Sequence, residues 1–207
     1  MARYIGPSCR QCRREQIKLF SKGAKCQMSK CPVDKGRPIP GAHSLRRRKL
    51  TDYGAQLREK QKLKRIYGLL ERQFRNYFKK AFSEKGNTGD HLLRLLETRL
   101  DNVVYRLGFT QALPAARQFV RHGHVLVQGR RVDYPGCHVR TGDVIEVRDH
   151  GSSRQRAAEC LEAMRREVPA WLHLTKNQFR GEVMRMPEPA DLTLPVDISK
   201  VVTLYAK

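Results

Sequence analysis

The sequence predicts an α+β protein: a helical amino-terminal region opened by a cysteine knuckle, then a helix-turn-helix followed by a small antiparallel sheet. Three patterns predict it. Between Asp52 and Leu100, apolar residues recur at helical spacing among cations. Between Leu100 and Val120, two apolar stripes end at Gly108 and Gly123, where a left-handed helix stop belongs. After His124 the pattern shortens to the brief apolar runs of strands, His124-Val125-Leu126-Val127 and Val144-Ile145-Glu146-Val147, each beside a glycine turn.

Residues 1–50 are read as a knuckle and a basic linker. Cys9 and Cys12 have the C-x-x-C spacing that lets two sulfurs face one ion, and Cys26 and Cys31 form a second, wider pair. Four thiols so arranged suit a closed tetrahedral site for one structural zinc, which leaves no open position for catalysis. Two disulfides, or thiols without a joint role, are the alternatives. No secretory signal precedes them, so a reducing, cytoplasmic setting is expected. The cations crowding these thiols, among them Arg13 and Arg14, are expected to favour thiolate. Gly36, Pro38, Pro40 and Gly41 then forbid a helix, and Arg46-Arg47-Arg48-Lys49 is a dense positive run suited to phosphate. Arg3, Arg13 and Arg14 join that run as candidate RNA contacts.

Residues 51–98 read as helices. Leu57, Leu63 and Ile66 supply one apolar face, and Arg58, Lys60, Lys62, Lys64 and Arg65 supply a broad charged face for a polyanion. Gly68 ends that helix. Phe74, Tyr77, Phe78 and Phe82 recur at helical spacing as core, leaving Arg72 and Arg75, with Lys79 and Lys80, as RNA candidates. Asp90 is read as the cap of the leucine-rich helix that follows.

Residues 99–165 hold the organising unit. Leu100, Val103, Val104 and Leu107 form the first helix stripe; Pro114 suits the first position of a second helix bearing Ala116, Phe119 and Val120. Cations gather at that second helix and at the hairpin tip: Arg117, Arg121, His122, His124, Arg130 and Arg131 are the RNA candidates. Residues 154–167 are read as a mixed-charge helix, and 171–207 as short strands and turns around a Trp171 core anchor. Cys137 and Cys160 are treated as ordinary thiols.

A formal net charge of +22 on 207 residues exceeds what solubility needs. It points to a nucleic-acid partner through counterion release. With no long apolar span or lipidation signal, no membrane partner is expected. No Gly-rich phosphate loop, nucleophile elbow or paired acid and base stands out, so an enzyme and a small-molecule substrate are not expected.

Specific residues sharpen this. Residues 99–148 resemble the αL-type RNA-binding domain. Leu57-Arg58-Glu59-Lys60-Gln61-Lys62-Leu63, Arg65-Ile66-Tyr67-Gly68, Arg72-Gln73-Phe74-Arg75-Asn76 and Thr98-Arg99-Leu100-Asp101-Asn102-Val103-Val104-Tyr105-Arg106 resemble the family of the fourth protein of the bacterial small ribosomal subunit. So does the stretch from Pro169-Ala170-Trp171-Leu172 to Leu204-Tyr205. Some members of that family carry four cysteines in this arrangement. In place of the family's Ser-Arg-Arg-Gln-Ala-Arg stands Ala112-Leu113-Pro114-Ala115-Ala116-Arg117, two cations fewer.

The resemblance implies a tail, roughly 185–207, that returns to complete the helical domain, with 166–207 packing back and the αL unit inserted. It implies primary binding to the five-prime domain of small-subunit 16S rRNA, nucleation of the subunit body and a part in translational accuracy. It also implies small-subunit proteins five and, functionally, twelve as partners, and a position near where messenger RNA enters. An RNA-modifying enzyme or synthetase with the same module would need a catalytic domain in addition. A zinc-finger DNA regulator would need histidine-paired fingers.

Overall fold

The computed structural model describes residues 4–41, 50–164, 166–192 and 194–206. It divides into two compact units, Met1–Gly89 with Leu194–Lys207, and Asp90–Thr193. Arg3, His43, Arg46, Arg47, Arg48 and Lys49 lie outside the described residues.

The first unit opens with α1 (Ser8–Glu15), followed by a 3-10 turn over Gly23–Cys26, then α2 (Asp52–Ile66) and α3 (Glu71–Ser83). Thr51 caps α2, its hydroxyl accepting from the Gly54 amide at 3.2 Å, and Gly68 ends the turn after it at φ +60°. Leu63, Phe74, Phe78 and Ala81 are buried between these helices, while Phe82 stays 63% exposed and so is not core. The helix α4 (Thr88–Glu97) begins in this unit. Its cap is Asn87, whose Oδ1 accepts from the Gly89 amide at 2.9 Å, rather than Asp90, which lies inside the helix.

The end of the chain corrects the reading of strands and turns. Ile198–Tyr205 is a helix, α8, capped by Asp197, whose carboxylate accepts from the Lys200 amide. It packs on α2 and buries Val201. The Tyr205 ring stacks on Phe78 with centroids 4.5 Å apart, and its hydroxyl donates to Glu71 at 2.9 Å.

The second unit contains α5 (Leu100–Arg106), α6 (Leu113–Arg121), β1 (Val125–Val127), β2 (Arg130–Arg131), β3 (Val144–Val147), α7 (Gly151–Glu162), β4 (Leu172–Thr175) and β5 (Arg180–Val183). Ala112 caps α6, which places Pro114 at the second helical position instead of the first. The sheet is antiparallel in the order β2-β1-β3-β5-β4. Residues 172–183 extend the sheet of the αL region, with Glu146 opposite Arg180 and Leu172 opposite Val183. The mixed-charge helix starts and ends earlier than 154–167 suggested.

The core joins Leu100 and Val104 of α5, and Leu107 just after it, to Phe119 and Val120 of α6, Ile145 and Val147 of β3, Trp171 and Val183. Close approach sets two glycines. Gly108 lies at φ +88°, against Met164 and Leu161. At Gly181 a Cβ would meet Leu107 Cδ1 at 2.5 Å, so β5 runs directly over α5 only because residue 181 has no side chain.

The entrance to α5 is held by a buried charge pair. Arg99 Nε donates to Asp101 Oδ1 at 3.0 Å and its NH2 donates to Oδ2 at 2.6 Å, and both side chains are at most 2% exposed. Asp101 Oδ1 also accepts from the Asn102 amide. Beside them, the backbone of 98–101 bonds to the 135–139 loop: Leu100 donates to Cys137 O at 2.7 Å, Asp101 to Pro135 O, and Val139 to Thr98 O.

Candidate nucleic-acid interface and thiol cluster

Exposed charge reveals which cations are available to a partner. On α2 the structure differs from the broad charged face that the sequence suggests. Arg58 and Arg65 donate to Glu15 of α1, Lys60 and Lys64 to Glu71 of α3 at 2.6 and 2.9 Å, and Lys62 to Glu59 at 2.6 Å. Four of these cations hold α2 to α1 and α3, and Lys62 is paired within α2. Glu15 is buried, which pushes its carboxyl up while Arg65 and Arg58 pull it down. Glu71 shows the opposite balance: partial burial raises it, but hydrogen bonds from Lys60, Lys64 and Tyr205 prevail and hold it at about 2. The same bond and burial push the Tyr205 phenol up.

On α3, by contrast, Arg72, Arg75, Lys79 and Lys80 are exposed and in no ion pair with a described residue. Arg72, Arg75 and Lys79, three and then four apart, share a helix face. Arg14 is exposed on α1, and half-buried Arg13 donates to Pro38 O at 3.1 Å.

In the second unit Arg121, His122, Arg130 and Arg131 are exposed, whereas Arg117 is 8% exposed and its charge acts on buried Asp101. Arg117 therefore belongs to the interior of α6 and not to the exposed set. The turn Gln128-Gly129 carries Arg130 and Arg131 at its exit, and the Arg131 guanidinium lies over Gly123, where a Cβ would collide with it. His124 is half-buried, with Nδ1 bonded to Ser153 Oγ at 2.9 Å and its ring 4.9 Å from Phe119. Burial, then the charges of His122, Arg156, His150 and Arg148, pull the His124 pKa down. Arg148, His150 and Arg156 thus join this cationic cluster, although the sequence reading passed over them. The signal was available in the strand pairing: Val125 lies opposite Val147, and the Arg148 amide donates to His124 O.

The four amino-terminal thiols meet in one place. Cys9 and Cys12 sit one turn apart on α1, Cys26 closes the 3-10 turn, and Cys31 follows it. All four line one cavity of about 320 Å³ together with Lys18, Lys22, Lys25 and Lys30, and all four are free thiols, which rules out the two disulfides here. Cys12 corrects the expectation of a thiolate favoured by cations. Its burial pushes the thiol up, and the three neighbouring sulfurs push it further, against a backbone hydrogen bond at Leu19 that lowers it. As placed, no three His, Cys, Asp or Glu side chains among the described residues are arranged as the ligands of an ion. The donor set itself, four clustered thiols and no competing carboxylate in the cavity lining, fits a thiophilic metal. Cys137 and Cys160 lie in the second unit, and burial pushes both thiols up.

Comparison with known proteins adds an independent line. Residues 3–97 match the family model described as ribosomal protein S4/S9 N-terminal domain, and residues 98–145 match the S4 domain. The chain is 50% identical over 208 residues to the small ribosomal subunit protein uS4 of Geotalea daltonii, covering all of both chains. It is 51% identical to the protein of that name from Thermoanaerobacter sp. (strain X514) and 49% identical to the one from Desulfitobacterium hafniense, again over the whole of each chain. Among the described residues no helix is long and apolar enough to cross a membrane.

Proposed function

We infer the function from one premise: the chain belongs to the family of the small ribosomal subunit protein uS4. It is a structural constituent of the small ribosomal subunit that binds the subunit's rRNA, in a family of structural proteins and not of enzymes. The observation that carries the RNA reading is the sorting of its cations. Those of α2 are consumed by carboxylates, while those of α3, Arg121 at the end of α6, the hairpin arginines and Arg148 after β3 stand exposed. An excess of 22 positive charges suits phosphate contact over a folded RNA surface.

Our finer reading is that the RNA is the five-prime domain of 16S rRNA, bound early so that it nucleates the subunit body. We place protein five beside it as a direct partner and protein twelve as a functional one, near where messenger RNA enters, with an influence on translational accuracy. In this reading Cys9, Cys12, Cys26 and Cys31 hold one structural zinc, which would cross-link α1 to the segment after it. Supporting this are the shared cavity and the absence of disulfides.

Binding of the chain to the isolated five-prime domain, followed across salt concentration, tests the RNA reading. The logarithm of the association constant should fall linearly with the logarithm of salt, by about 0.7 to 0.9 per phosphate neutralised. A flat dependence would reject it. For the metal, protein purified under reduction should carry one zinc per chain, and the Cys9→Ser/Cys12→Ser double variant should carry none; equal metal in both would reject the ligand assignment.

A further inference from the structure

Between α6 and α7, beside the cationic cluster around His124, lies a second cavity of about 200 Å³. Its lining includes His122, His124, Gln111, Gln118 and Phe119, the last only 4% exposed, with Arg156 from α7. None of the lining residues carries a carboxylate. Arg156 is exposed and in no ion pair with a described residue. The volume is that of roughly half a dozen waters, the size class of one planar heterocycle.

We propose that this cavity receives one unstacked nucleotide of the bound RNA, its base against the His122 and His124 imidazoles and its phosphate at Arg156. The proposal rests on the RNA-binding reading above and extends it to a specific site. An imidazole face accepts the face of any base. The Gln111 and Gln118 amides each offer a donor and an acceptor, which suits the hydrogen-bonding edge of a base. With Nδ1 of His124 engaged by Ser153, its Nε2 is the ring nitrogen left for a ligand. Charge alone admits an acidic peptide as well, but imidazole faces beside two amides and one guanidinium suit a nucleotide better than a protein side chain.

The test uses the full chain. The imidazole resonances of His122 and His124 are followed during titration with the four nucleoside 5'-monophosphates and, separately, with ribose 5-phosphate. At least one monophosphate should shift both histidines to saturation, and ribose 5-phosphate should do so much more weakly. Ala115 is exposed at the cavity wall, so Ala115→Trp fills the cavity without changing charge. It should abolish the shifts and lower affinity for the five-prime domain by on the order of tenfold. If thermal melting shows that variant to be unfolded, Gln111→Ala/Gln118→Ala replaces it, with the same expectation.

Equal responses to ribose 5-phosphate would overturn the proposal in favour of an anion site. Shifts that appear only with other small-subunit proteins, and not with RNA or nucleotides, would overturn it in favour of a protein contact. Wild-type rRNA binding with unmoved imidazoles, and unchanged affinity in a folded variant, would overturn the pocket while leaving the RNA-binding reading intact. Failure of the wild-type chain to bind rRNA at all would instead overturn that reading.

Discussion

Replacing Asp101 with Asn tests the charge pair at the head of α5. The carboxylate accepts two bonds from Arg99, one from the Asn102 amide, and lies beside buried Arg117. Burial pushes its carboxyl up, against the pull of Arg99 and Arg117, so as a pair the two charges gain little over apolar residues of the same volume. Deleting one of them is different. The variant keeps the acceptor for Asn102 but leaves the Arg99 guanidinium, 2% exposed, facing a neutral amide away from water. Breaking a buried pair in this way costs about 3–5 kcal/mol, and a unit of this size loses about 4 °C or more in Tm per kcal/mol. A fall of at least about 12 °C is therefore expected. The chain's single tryptophan, Trp171, is fully buried in the core of the same unit, so its fluorescence reports this unit's unfolding. The double variant Arg99→Met/Asp101→Leu should recover most of the loss. A change below about 1 kcal/mol in Asp101→Asn would refute the desolvation argument.

Three further expectations follow from the same accounting of charge and space. Glu71 is held at about 2 against its ordinary 4.5; because the folded value is depressed, its contribution is complete above pH 4.5 and is lost as pH falls toward 2. Since it is half exposed, Glu71→Gln should cost only about 1 kcal/mol at neutral pH and flatten the acid limb of a urea-midpoint profile in that window; an unchanged limb would refute it. Arg72→Gln and Arg75→Gln should each reduce the salt slope of rRNA binding by about 1 with stability unchanged, whereas Arg58→Gln should lower stability and leave the slope alone; the reverse pattern in binding and melting assays would contradict the sorting of cations. Gly181→Ala should cost about 1–3 kcal/mol in urea denaturation because Leu107 must move, and a neutral result would mean that the α5 core yields more freely than its packing suggests.

The helix stripes of α2 to α6 were legible because period and stop agree: Leu100, Val103, Val104 and Leu107 share one face, and Gly108 takes the positive φ that ends it. The carboxyl-terminal helix was not. Ile198, Val201, Val202 and Thr203 are β-branched, and their strand preference concealed a helical spacing that Asp197 caps and α2 buries. Strands β4 and β5 were legible as strands, but their partner was not, since pairing with β3 depends on Gly181 clearing Leu107. At the interface, sequence identifies cations but not their carboxylates. Glu15 lies far from Arg58 and Arg65 in the chain, so α2 read as a free basic face. The cluster around His124 needed the register of β1 against β3, which brings Arg148 across from it.

The division of the first unit has a consequence for synthesis. Its amino-terminal helices are synthesised first, yet α8, which covers Phe78 and donates to Glu71, is synthesised only after the whole second unit. Folding in order of emergence thus lets the second unit complete itself while the first still lacks its last helix. The nascent chain exposes the α2 and α3 surface throughout that interval, and α8 is the element that closes it.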